Sequence, residues 1–345
     1  MHLVVVLPAL NEAATIERVV SEIPRVIAGL DRVTVVVVDD GSTDDTTPLA
    51  LRAGARVLRH PVNMGLGRTF ADGLDAALRL GADYMVFMDS DGQFNPADIP
   101  TLLKPLLDGS AEFVSCTRFA DPKLEPDMPW IKRRGNAWMT ALVNAIARPK
   151  RPYTDVSCGF RAYTRETLLH LNLFGAFTYT QETFLDLAAK GVRMAEVPLP
   201  VRGVREFGTS RIASNLWRYA FRTSAIIIRS LRDYQPLRFF GNIGLAVLAL
   251  AVFQLGFVAI HWLLTGQTSP YRSLVTTGGA TLVTGVLLLG IALLADMMGR
   301  GRMIQEKLLF LARSAHYDRL MATHPDQFPR EVTTPEPQPA PADTP

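Results

Sequence analysis

The segment DSDGQ, residues 89–93, carries a strong chemical signal. It places two carboxylates, Asp89 and Asp91, one residue apart directly after the apolar run YMVFM. Carboxylate oxygens are the ligands that Mg²⁺ and Mn²⁺ prefer, and an ion held there can be shared with a diphosphate and neutralise its charge. The pattern therefore predicts a divalent-metal site. The alternative is a structural turn that leaves both carboxylates exposed.

Two more polar segments follow apolar runs in the same way. PALNE, residues 8–12, follows LVVVL, and DDGSTDDT, residues 39–46, follows VTVVVV. The carboxyl ends of parallel strands meet at the sheet edge where ligands bind, so the three segments together predict an acidic rim. DDGS alone is equally typical of a turn in which Ser42 or Thr43 caps a helix.

The apolar runs themselves predict the elements that position this rim. Runs at 3–7, 33–38, 84–88 and 112–116 are typical of strands buried on both faces of a mainly parallel sheet. Helical patterns lie between them, for example over 12–28 and 68–80. The alternation predicts a doubly wound α/β domain.

Composition excludes several classes of protein. The chain has 345 residues, 48% of them apolar and 20% charged, with a net charge of +3. These values exclude a disordered or fibrous chain, and the charge is too small to favour a nucleic-acid partner. Two cysteines cannot form a secreted disulfide framework, which predicts a reducing compartment. The six histidines show no metal-ligand spacing, which argues against a zinc site.

Two stretches, 239–271 and 273–295, contain no Asp, Glu, Lys or Arg. Each is long enough to span a bilayer as a helix, so we predict a transmembrane hairpin over 236–298; buried core helices are the alternative. Arginines and a lysine flank the hairpin, whereas its connecting loop holds only Arg272. The positive-inside rule places both ends in the cytoplasm. The sequence begins with a strand and no signal peptide, so we expect a multi-pass inner-membrane protein with residues 1–235 cytoplasmic.

The regions beside the hairpin also have distinct patterns. Over 212–235 arginines cluster on one side of a helical projection, which predicts an amphipathic helix on the membrane surface; a solvated face is the alternative. Residues 299–324 are predicted to form a basic cytoplasmic helix. Residues 325–345 contain seven prolines and are predicted to be a disordered tail.

Taken in order, the motifs resemble glycosyltransferase family 2, the nucleotide-sugar-dependent enzymes of GT-A fold. The resemblance runs from residue 3 to about 212 and includes NMGLGRTF, SCGFRAYTRETL and EVPLPVRGVREFGTSRI as well as the three polar segments. It implies a Rossmann-like GT-A domain over 1–211. Within the family the chain is similar to the polyprenyl-phosphate group, the dolichyl-phosphate mannosyl- and glucosyltransferases.

The resemblance implies a role for each matching residue. The nucleotide sugar is held by Pro8, Asn11, Glu12, Asp39, Asp40, Asp89, Ser90, Asp91, Arg205 and Arg211. The metal, Mg²⁺ or Mn²⁺, is held by Asp89, Asp91 and Gln93. Arg118 matches an arginine that faces the phosphates. Leu10 stands where an aromatic residue is common, and Arg211 replaces a frequent lysine.

The implied reaction is inverting, metal-dependent transfer of glucose or mannose, from UDP-glucose or GDP-mannose, to a polyprenyl phosphate. The product would be a lipid-linked sugar for cell-envelope glycans or protein glycosylation. A phosphate acceptor is already anionic at neutral pH, so it needs cations rather than a general base. Arg118, Arg133 and Arg134 are the candidates to bind it. Asp91, Asp155, Glu182 and Arg118 form the predicted catalytic set, although Asp155 and Glu182 could equally be structural partners of arginines.

Three rival interpretations remain at this point. A family 2 transferase could use a hydroxyl acceptor, either a sugar or a diacylglycerol. A phosphatase could use Asp89 as its nucleophile, and a membrane scaffold could carry a degenerate site. The sequence leaves the sugar, the nucleotide and the oligomeric state open, and a homo-oligomer is compatible with it.

Overall fold

A computed structural model describes residues 1–172, 179–203, 232, 234–323 and 331–334. The chain divides into two compact units. Unit 1 comprises Met1–Ile227 together with Phe310–Pro345, and unit 2 comprises Ile228–Leu309. The expected boundary near residue 211 therefore omits a C-terminal part of the first unit.

Unit 1 is built on an eight-stranded mixed sheet. Its strands are β1 (His2–Ala9), β2 (Arg32–Asp39), β3 (Arg56–Arg59), β4 (Tyr84–Phe87), β5 (Phe113–Thr117), β6 (Arg161–Thr164), β7 (Met194–Pro198) and β8 (Glu331–Thr333). The strand order is β7-β5-β6-β4-β1-β2-β3-β8. Only β6 runs antiparallel to its neighbours, β4 and β5. Polar segments after β1, β2 and β4 therefore emerge at one edge, as predicted.

Seven helices of unit 1 connect these strands within the described residues. They are α1 (Ile16–Glu22), α2 (Thr46–Arg52), α3 (Leu66–Arg79), α4 (Ile99–Leu107), α5 (Trp130–Ala147), α6 (Arg165–His170) and α7 (Thr180–Ala189). Short 3-10 helices cover Pro96–Asp98 and Pro122–Leu124. Helix α1 is shorter than the predicted span 12–28. It ends because Pro24 forces the preceding Ile23 into an extended conformation.

The core forms on both faces of the central strands. Leu3, Val5 and Leu7 of β1 pack on one face with α1 and α4, and all three are fully buried. On the other face Val6 packs so closely against α3 that a Cβ on Gly73 would lie 2.5 Å from its side chain. The structure thus confirms the prediction that the apolar runs form strands buried on both faces of the sheet.

Unit 2 contains α8 (Pro236–Thr265) and most of α9 (Arg272–Thr323). Both are long and apolar enough to cross a membrane, and only 17% of the most apolar window of each is buried. Exposed apolar side chains disfavour the alternative of buried core helices. Of the predicted surface helix over 212–235, all but residues 232, 234 and 235 lie outside the described part of the chain.

The separate basic helix predicted over 299–324 is instead the continuation of α9. Gly299 and Gly301 lie within this helix and do not end it. A glycine costs a helix only about 1 kcal/mol relative to alanine and keeps its backbone hydrogen bonds, whereas a proline would break them. The chain from Arg272 to Thr323 contains no proline.

The last part of α9 and β8 fold onto unit 1. Arg313 donates to the carbonyl of Leu171 at 2.8 Å, just beyond the end of α6. The Tyr317 hydroxyl donates to Asp75 of α3 at 2.6 Å, and Phe310 stacks on His170 with ring centroids 4.1 Å apart. The prediction that all of 325–345 is disordered is wrong for Glu331–Thr333, because these residues pair with the otherwise open edge of β3.

Candidate active site

The turn after β1 is joined directly to the turn after β2. Asn11 adopts a left-handed conformation with φ +53°, which asparagine tolerates better than most residues. Its side-chain oxygen accepts a hydrogen bond from the backbone amide of Thr43 at 2.8 Å, and its backbone amide donates to the Ser42 hydroxyl at 2.8 Å. Ser42 and Thr43 therefore tie two strand ends together. The alternative that either residue caps a helix is wrong, since α2 begins at Thr46 after Asp45.

The aspartate pair that ends β2 is almost completely buried. Asp39 accepts hydrogen bonds from the Ser42 amide and the Thr47 hydroxyl, so both of its oxygens are engaged. Asp40 accepts from the amides of Met64 and Gly65 at 2.8 and 2.9 Å. Each carboxylate oxygen has two lone pairs, so a contact with a ligand would have to use those that the protein's own hydrogen bonds do not occupy. Both residues hold the rim in shape.

The DSDGQ turn packs against the turn after β1. The Ser90 hydroxyl donates to the Pro8 carbonyl at 2.6 Å, and the Thr15 hydroxyl donates to the Ser90 carbonyl at 2.8 Å. Asp89 is half-buried, and a Cβ on Gly159 would lie 3.0 Å from its carboxylate. Glycine at 159 thus allows the SCGF segment to approach Asp89 closely. The three predicted polar segments do come together.

The residues predicted to hold a metal, Asp89, Asp91 and Gln93, all carry the oxygen donors that Mg²⁺ and Mn²⁺ prefer. Asp91 is buried, and one of its carboxylate oxygens accepts a hydrogen bond from the backbone amide of Gln93 at 3.0 Å. The Gln93 side-chain nitrogen donates to the Arg202 carbonyl at 2.9 Å, which leaves the amide oxygen as its ligating atom. Among the described residues no group of three His, Cys, Asp or Glu could hold a metal alone. An ion here would need Gln93 and ligands from a bound diphosphate as well.

Arg118 and Asp155 form a bidentate ion pair at the end of β5. The guanidinium Nε and Nη2 donate to the two Asp155 oxygens at 2.6 and 3.0 Å. Burial alone would lower the pKa of Arg118, but the charge of Asp155 and its hydrogen bonds raise it, so the arginine stays cationic. Of the two alternatives for Asp155, the structure shows the one in which it orients an arginine.

Glu196 of β7 anchors this pair, and the sequence analysis did not identify it. Its carboxylate accepts from the backbone amides of Thr154 and Asp155 at 2.8 and 2.9 Å and from the Thr154 hydroxyl at 3.0 Å. Burial raises the pKa of Glu196 against the opposing effect of these bonds. Glu196 therefore fixes the backbone from which Asp155 reaches Arg118.

A second residue not identified from the sequence is Arg161, which is fully buried. Its guanidinium donates to the carbonyls of Val156, Cys158 and Thr180 at 2.8–3.0 Å and lies over the Phe184 ring at 5.0 Å from the centroid. It holds the segment that brings Gly159 up to Asp89. Glu182, predicted near the acceptor, lies on α7 and is 9% exposed.

Three consecutive basic residues, Lys132, Arg133 and Arg134, lie in the first turns of α5. Arg133 pairs with Glu125 at 2.7 Å, and Arg134 lies 6.0 Å from the centroid of the Trp130 ring. Both arginines are exposed. Arg205 and Arg211, predicted to close over the donor, lie outside the described residues.

A cavity of about 560 Å³ borders the DSDGQ turn at Gln93. Its lining includes the cationic residues Arg18, Lys123 and Arg202, the acidic residues Glu22 and Glu125, and the apolar residues Phe94, Leu124, Pro126, Pro200 and Val201. The space next to Gln93 is therefore lined by both charged and apolar side chains.

Comparison with known proteins identifies the family to which this chain belongs. Residues 4–171 match the family model described as glycosyl transferase family 2. An uncharacterised glycosyltransferase of Mycobacterium tuberculosis is 32% identical over 213 residues, which are 61% of this chain and 90% of that protein. The chain belongs to glycosyl transferase family 2. It is therefore a nucleotide-sugar glycosyltransferase, which excludes the phosphatase interpretation.

Two similar proteins bear on the reaction. The polyprenol monophosphomannose synthase of Mycolicibacterium smegmatis is 28% identical over 244 residues, covering 66% of this chain and 88% of that protein. The solved structure of glucosyl-3-phosphoglycerate synthase from Mycobacterium tuberculosis, in complex with Mn²⁺, UDP and phosphoglyceric acid, has a TM-score of 0.53 and 28% identity. It covers 67% of this chain and 78% of that one. The predicted GT-A fold is confirmed.

Proposed function

We propose that this family 2 enzyme transfers glucose or mannose, with inversion, from UDP-glucose or GDP-mannose to a polyprenyl phosphate. The observation that carries the choice of acceptor is the pair of long apolar helices, α8 and α9, with their exposed apolar side chains. A polyprenyl phosphate lies in a membrane, so an enzyme that uses it benefits from an attached anchor. The likeness to a polyprenol monophosphomannose synthase supports the same acceptor.

The donor occupies the rim formed by Pro8, Asn11, Glu12, Asp39, Asp40 and Asp89–Asp91. From the sequence motif we also assign donor binding to Arg205 and Arg211, which lie outside the described residues. Asp89, Asp91 and Gln93 would hold a Mg²⁺ or Mn²⁺ ion. When bound, that ion supplies positive charge that stabilises the departing nucleoside diphosphate. The Mn²⁺ and UDP in the related synthase structure support this assignment.

The acceptor phosphate is bound by cations rather than activated by a base. Arg118 carries a fixed charge, while Arg133 and Arg134 add exposed positive charge on α5. An acceptor phosphate oxygen attacks the anomeric carbon, and the bond to the donor diphosphate breaks with its electron pair. No proton has to move, because the attacking oxygen is already ionised. Asp155, held in its ion pair, is therefore needed as an anchor for Arg118 and not as a base.

The outer face of α5 supports a membrane location. Trp130, Ile131 and Trp138 are 71%, 47% and 50% exposed, and Arg133 and Arg134 lie among them. Aromatic side chains beside arginines favour the headgroup region of an anionic bilayer. This face would bring the acceptor-binding residues close to the lipid.

Chain connectivity supports a hairpin. Residues up to Ile227 and residues after Leu309 belong to the same compact unit, so the intervening chain leaves that unit and returns to it. A segment of that kind crosses a membrane an even number of times. With basic flanks and only Arg272 in the loop, we propose two inner-membrane spans with unit 1 in the cytoplasm.

The test is a donor screen with the purified full chain and undecaprenyl phosphate, following release of UDP or GDP. We expect one donor to give a lipid product that mild acid hydrolyses, because glycosyl phosphates are acid-labile. Transfer to a hydroxyl lipid or sugar, with none to the phosphate, would overturn the proposed acceptor. That second candidate is favoured by one observation, the likeness to a synthase that glucosylates phosphoglycerate.

Asp91→Asn tests the metal assignment in the same assay. Asparagine preserves the hydrogen bond to the Gln93 amide but removes the charge, so we expect transfer to fall by at least about 100-fold with little change in melting temperature. Asp108→Asn is the matched control, because Asp108 accepts the Ser110 amide proton in the same way on the surface. Equal activity of the Asp91 variant and the control at saturating Mn²⁺ would contradict the assignment.

A further inference from the structure

His60 directly follows β3 and is completely buried between two aspartates. Its Nδ1 lies 2.7 Å from an oxygen of Asp40, and its Nε2 lies 3.1 Å from an oxygen of Asp72 on α3. Its backbone amide also donates to the Asp39 carbonyl at 2.8 Å. The imidazole thus bridges the end of β2 and the first turns of α3.

The two contacts require a doubly protonated ring. Ionised carboxylates only accept hydrogen bonds, so both ring nitrogens must carry protons to satisfy both partners. A neutral ring would leave one nitrogen lone pair facing a carboxylate lone pair in a buried site. The charged groups at this site are Asp40, which follows β2, and Asp72 of α3, which contact the ring, together with Arg68 of α3, which pairs with Asp72, and Arg59 of β3, which lies 4.0 Å from Asp39.

The electrostatics agree with this geometry. Burial alone would lower the pKa of His60, but the hydrogen bonds and charges of Asp40 and Asp72 together raise it to about 9. Burial would likewise raise the pKa of Asp72, yet the bonds from His60 and Arg68 lower it. The histidine is therefore cationic at neutral pH.

The bridge also controls the chain that follows. The Asp40 oxygen bound by His60 accepts the Met64 amide proton, and the other Asp40 oxygen accepts that of Gly65. At Gly41, whose φ is +78°, a Cβ would lie 2.6 Å from the Val62 carbonyl carbon. Residues 40–41 and 62–65 are thus in direct contact, and His60 sets the position of the aspartate that joins them.

We propose that His60, as a buried cation, is a positioning residue for the nucleotide of the donor: it fixes Asp40 and the 62–65 turn as one wall of the nucleotide site. The inference rests on the proposed function, in which Asp39 and Asp40 belong to the rim that the nucleotide-sugar donor occupies. His60 touches neither substrate nor reacting atoms and acts only through Asp40. Its loss should therefore weaken donor binding more than the chemical step.

The experiment measures binding of UDP and GDP to the full chain in detergent at pH 7, with donor KM and kcat alongside. The glutamine of His60→Gln can replace only part of the contacts that the cationic imidazole makes with Asp40 and Asp72. We therefore expect nucleotide affinity to fall at least about tenfold, with a smaller change in kcat. His316→Gln, at an exposed histidine of α9, is the matched control and should bind as the wild type does. Asp72→Asn keeps an acceptor for Nε2 and should give an intermediate loss.

A pH series separates positioning by a cation from simple packing. Wild-type affinity should hold from pH 6.5 to 8 and fall as the pH rises through about 9, where His60 loses its proton. The nucleotide base also titrates in alkaline solution, so the informative quantity is the difference between wild type and His60→Gln. That difference should shrink as the pH passes about 9.

The outcomes are distinct. A wild-type protein that binds neither UDP nor GDP overturns the proposed function itself. A folded His60→Gln variant with wild-type affinity overturns only the role of His60, as does a difference that stays constant with pH. If His60→Gln fails to fold, the Asp72→Asn variant decides, and undiminished affinity there contradicts the inference.

Discussion

At the scale of single residues, the Arg118–Asp155 pair has the clearest functional meaning. Asp155 is fully buried and contacts the guanidinium through both oxygens, so it is committed to orienting a cation. Glu196 in turn holds the Asp155 backbone. A chain of two carboxylates thus sets the direction of one arginine. Such an arrangement suits an enzyme that must place a positive charge against an anionic acceptor.

Glu196→Gln should therefore impair use of polyprenyl phosphate without affecting the donor. Glutamine keeps one acceptor oxygen, but its NH₂ group replaces the other and cannot accept, so the backbone amides of Thr154 and Asp155 can no longer both be bound as before and the Arg118 anchor loosens. We expect kcat/KM for polyprenyl phosphate to fall about tenfold while nucleotide affinity stays constant. Arg118→Ala should be more severe and Glu182→Gln milder.

Glu17→Gln is the control for this series, because Glu17 is exposed and lies 3.7 Å from its partner Arg52. Steady-state kinetics with each substrate varied in turn provide the measurement. If Glu196→Gln weakens nucleotide binding as much as acceptor use, Glu196 supports the whole domain and not Arg118 in particular.

Some residues of the site could be identified from the sequence and others could not, and the reason is physical. Pro8, Asn11, Asp39, Asp89 and Asp91 follow apolar runs, so periodicity alone locates them at strand ends. The partners of Glu196 lie about 40 residues away, and those of Arg161 are backbone carbonyls and aromatic rings. Such contacts exist only after folding and leave no spacing in the sequence. His60 had a weak signal, since it follows the apolar residues of the short strand β3.

At the scale of elements, β8 is one of four strands, with β3, β6 and β7, that the sequence did not indicate. Its three residues lie in a proline-rich segment, and only the open edge of β3 makes them a strand. The same edge matters for the site, because Arg59 pairs with Thr333 and donates to the Ser42 carbonyl at 3.3 Å. Strand β8 therefore supports a residue that contacts the turn after β2.

Truncation after residue 330 should expose this edge and lower stability. Removing Glu331–Thr333 breaks the ladder to β3, including the bond from the Thr334 amide to the Arg59 carbonyl. We expect a loss of about 1–3 kcal/mol, measured by denaturant unfolding of the first unit in detergent. Truncation after residue 334 keeps the strand and is the control. Equal stability of the two truncated proteins would show that β8 contributes nothing measurable.

At the scale of the whole molecule, the order of the chain determines topology. Unit 1 is made from both ends of the chain, and the two long apolar helices lie between them in sequence. Contacts such as Tyr317 with Asp75 require both ends to share one compartment. This constraint is independent of the basic flanks from which the sequence analysis predicted the same orientation.

Reporter fusions test the orientation directly. A reporter fused after Ala315 should be cytoplasmic, whereas one inserted at Thr268, in the loop between α8 and α9, should lie on the opposite side. Alkaline phosphatase and a fluorescent protein, which are active on opposite sides of the inner membrane, give complementary signals. Both positions reporting the same compartment would contradict two spans.

The pairing of β3 with β8 also has a consequence for the timing of biosynthesis. Arg59 leaves the ribosome long before Thr333, its partner in the sheet. Unit 1 therefore has an open sheet edge during the time in which the long apolar helices α8 and α9 are synthesised. Open strand edges promote aggregation, and domains that close late are vulnerable during synthesis. Translation that stalls within α9 should accordingly release an enzyme with a complete nucleotide rim but an unfinished sheet, a natural target for quality-control proteases.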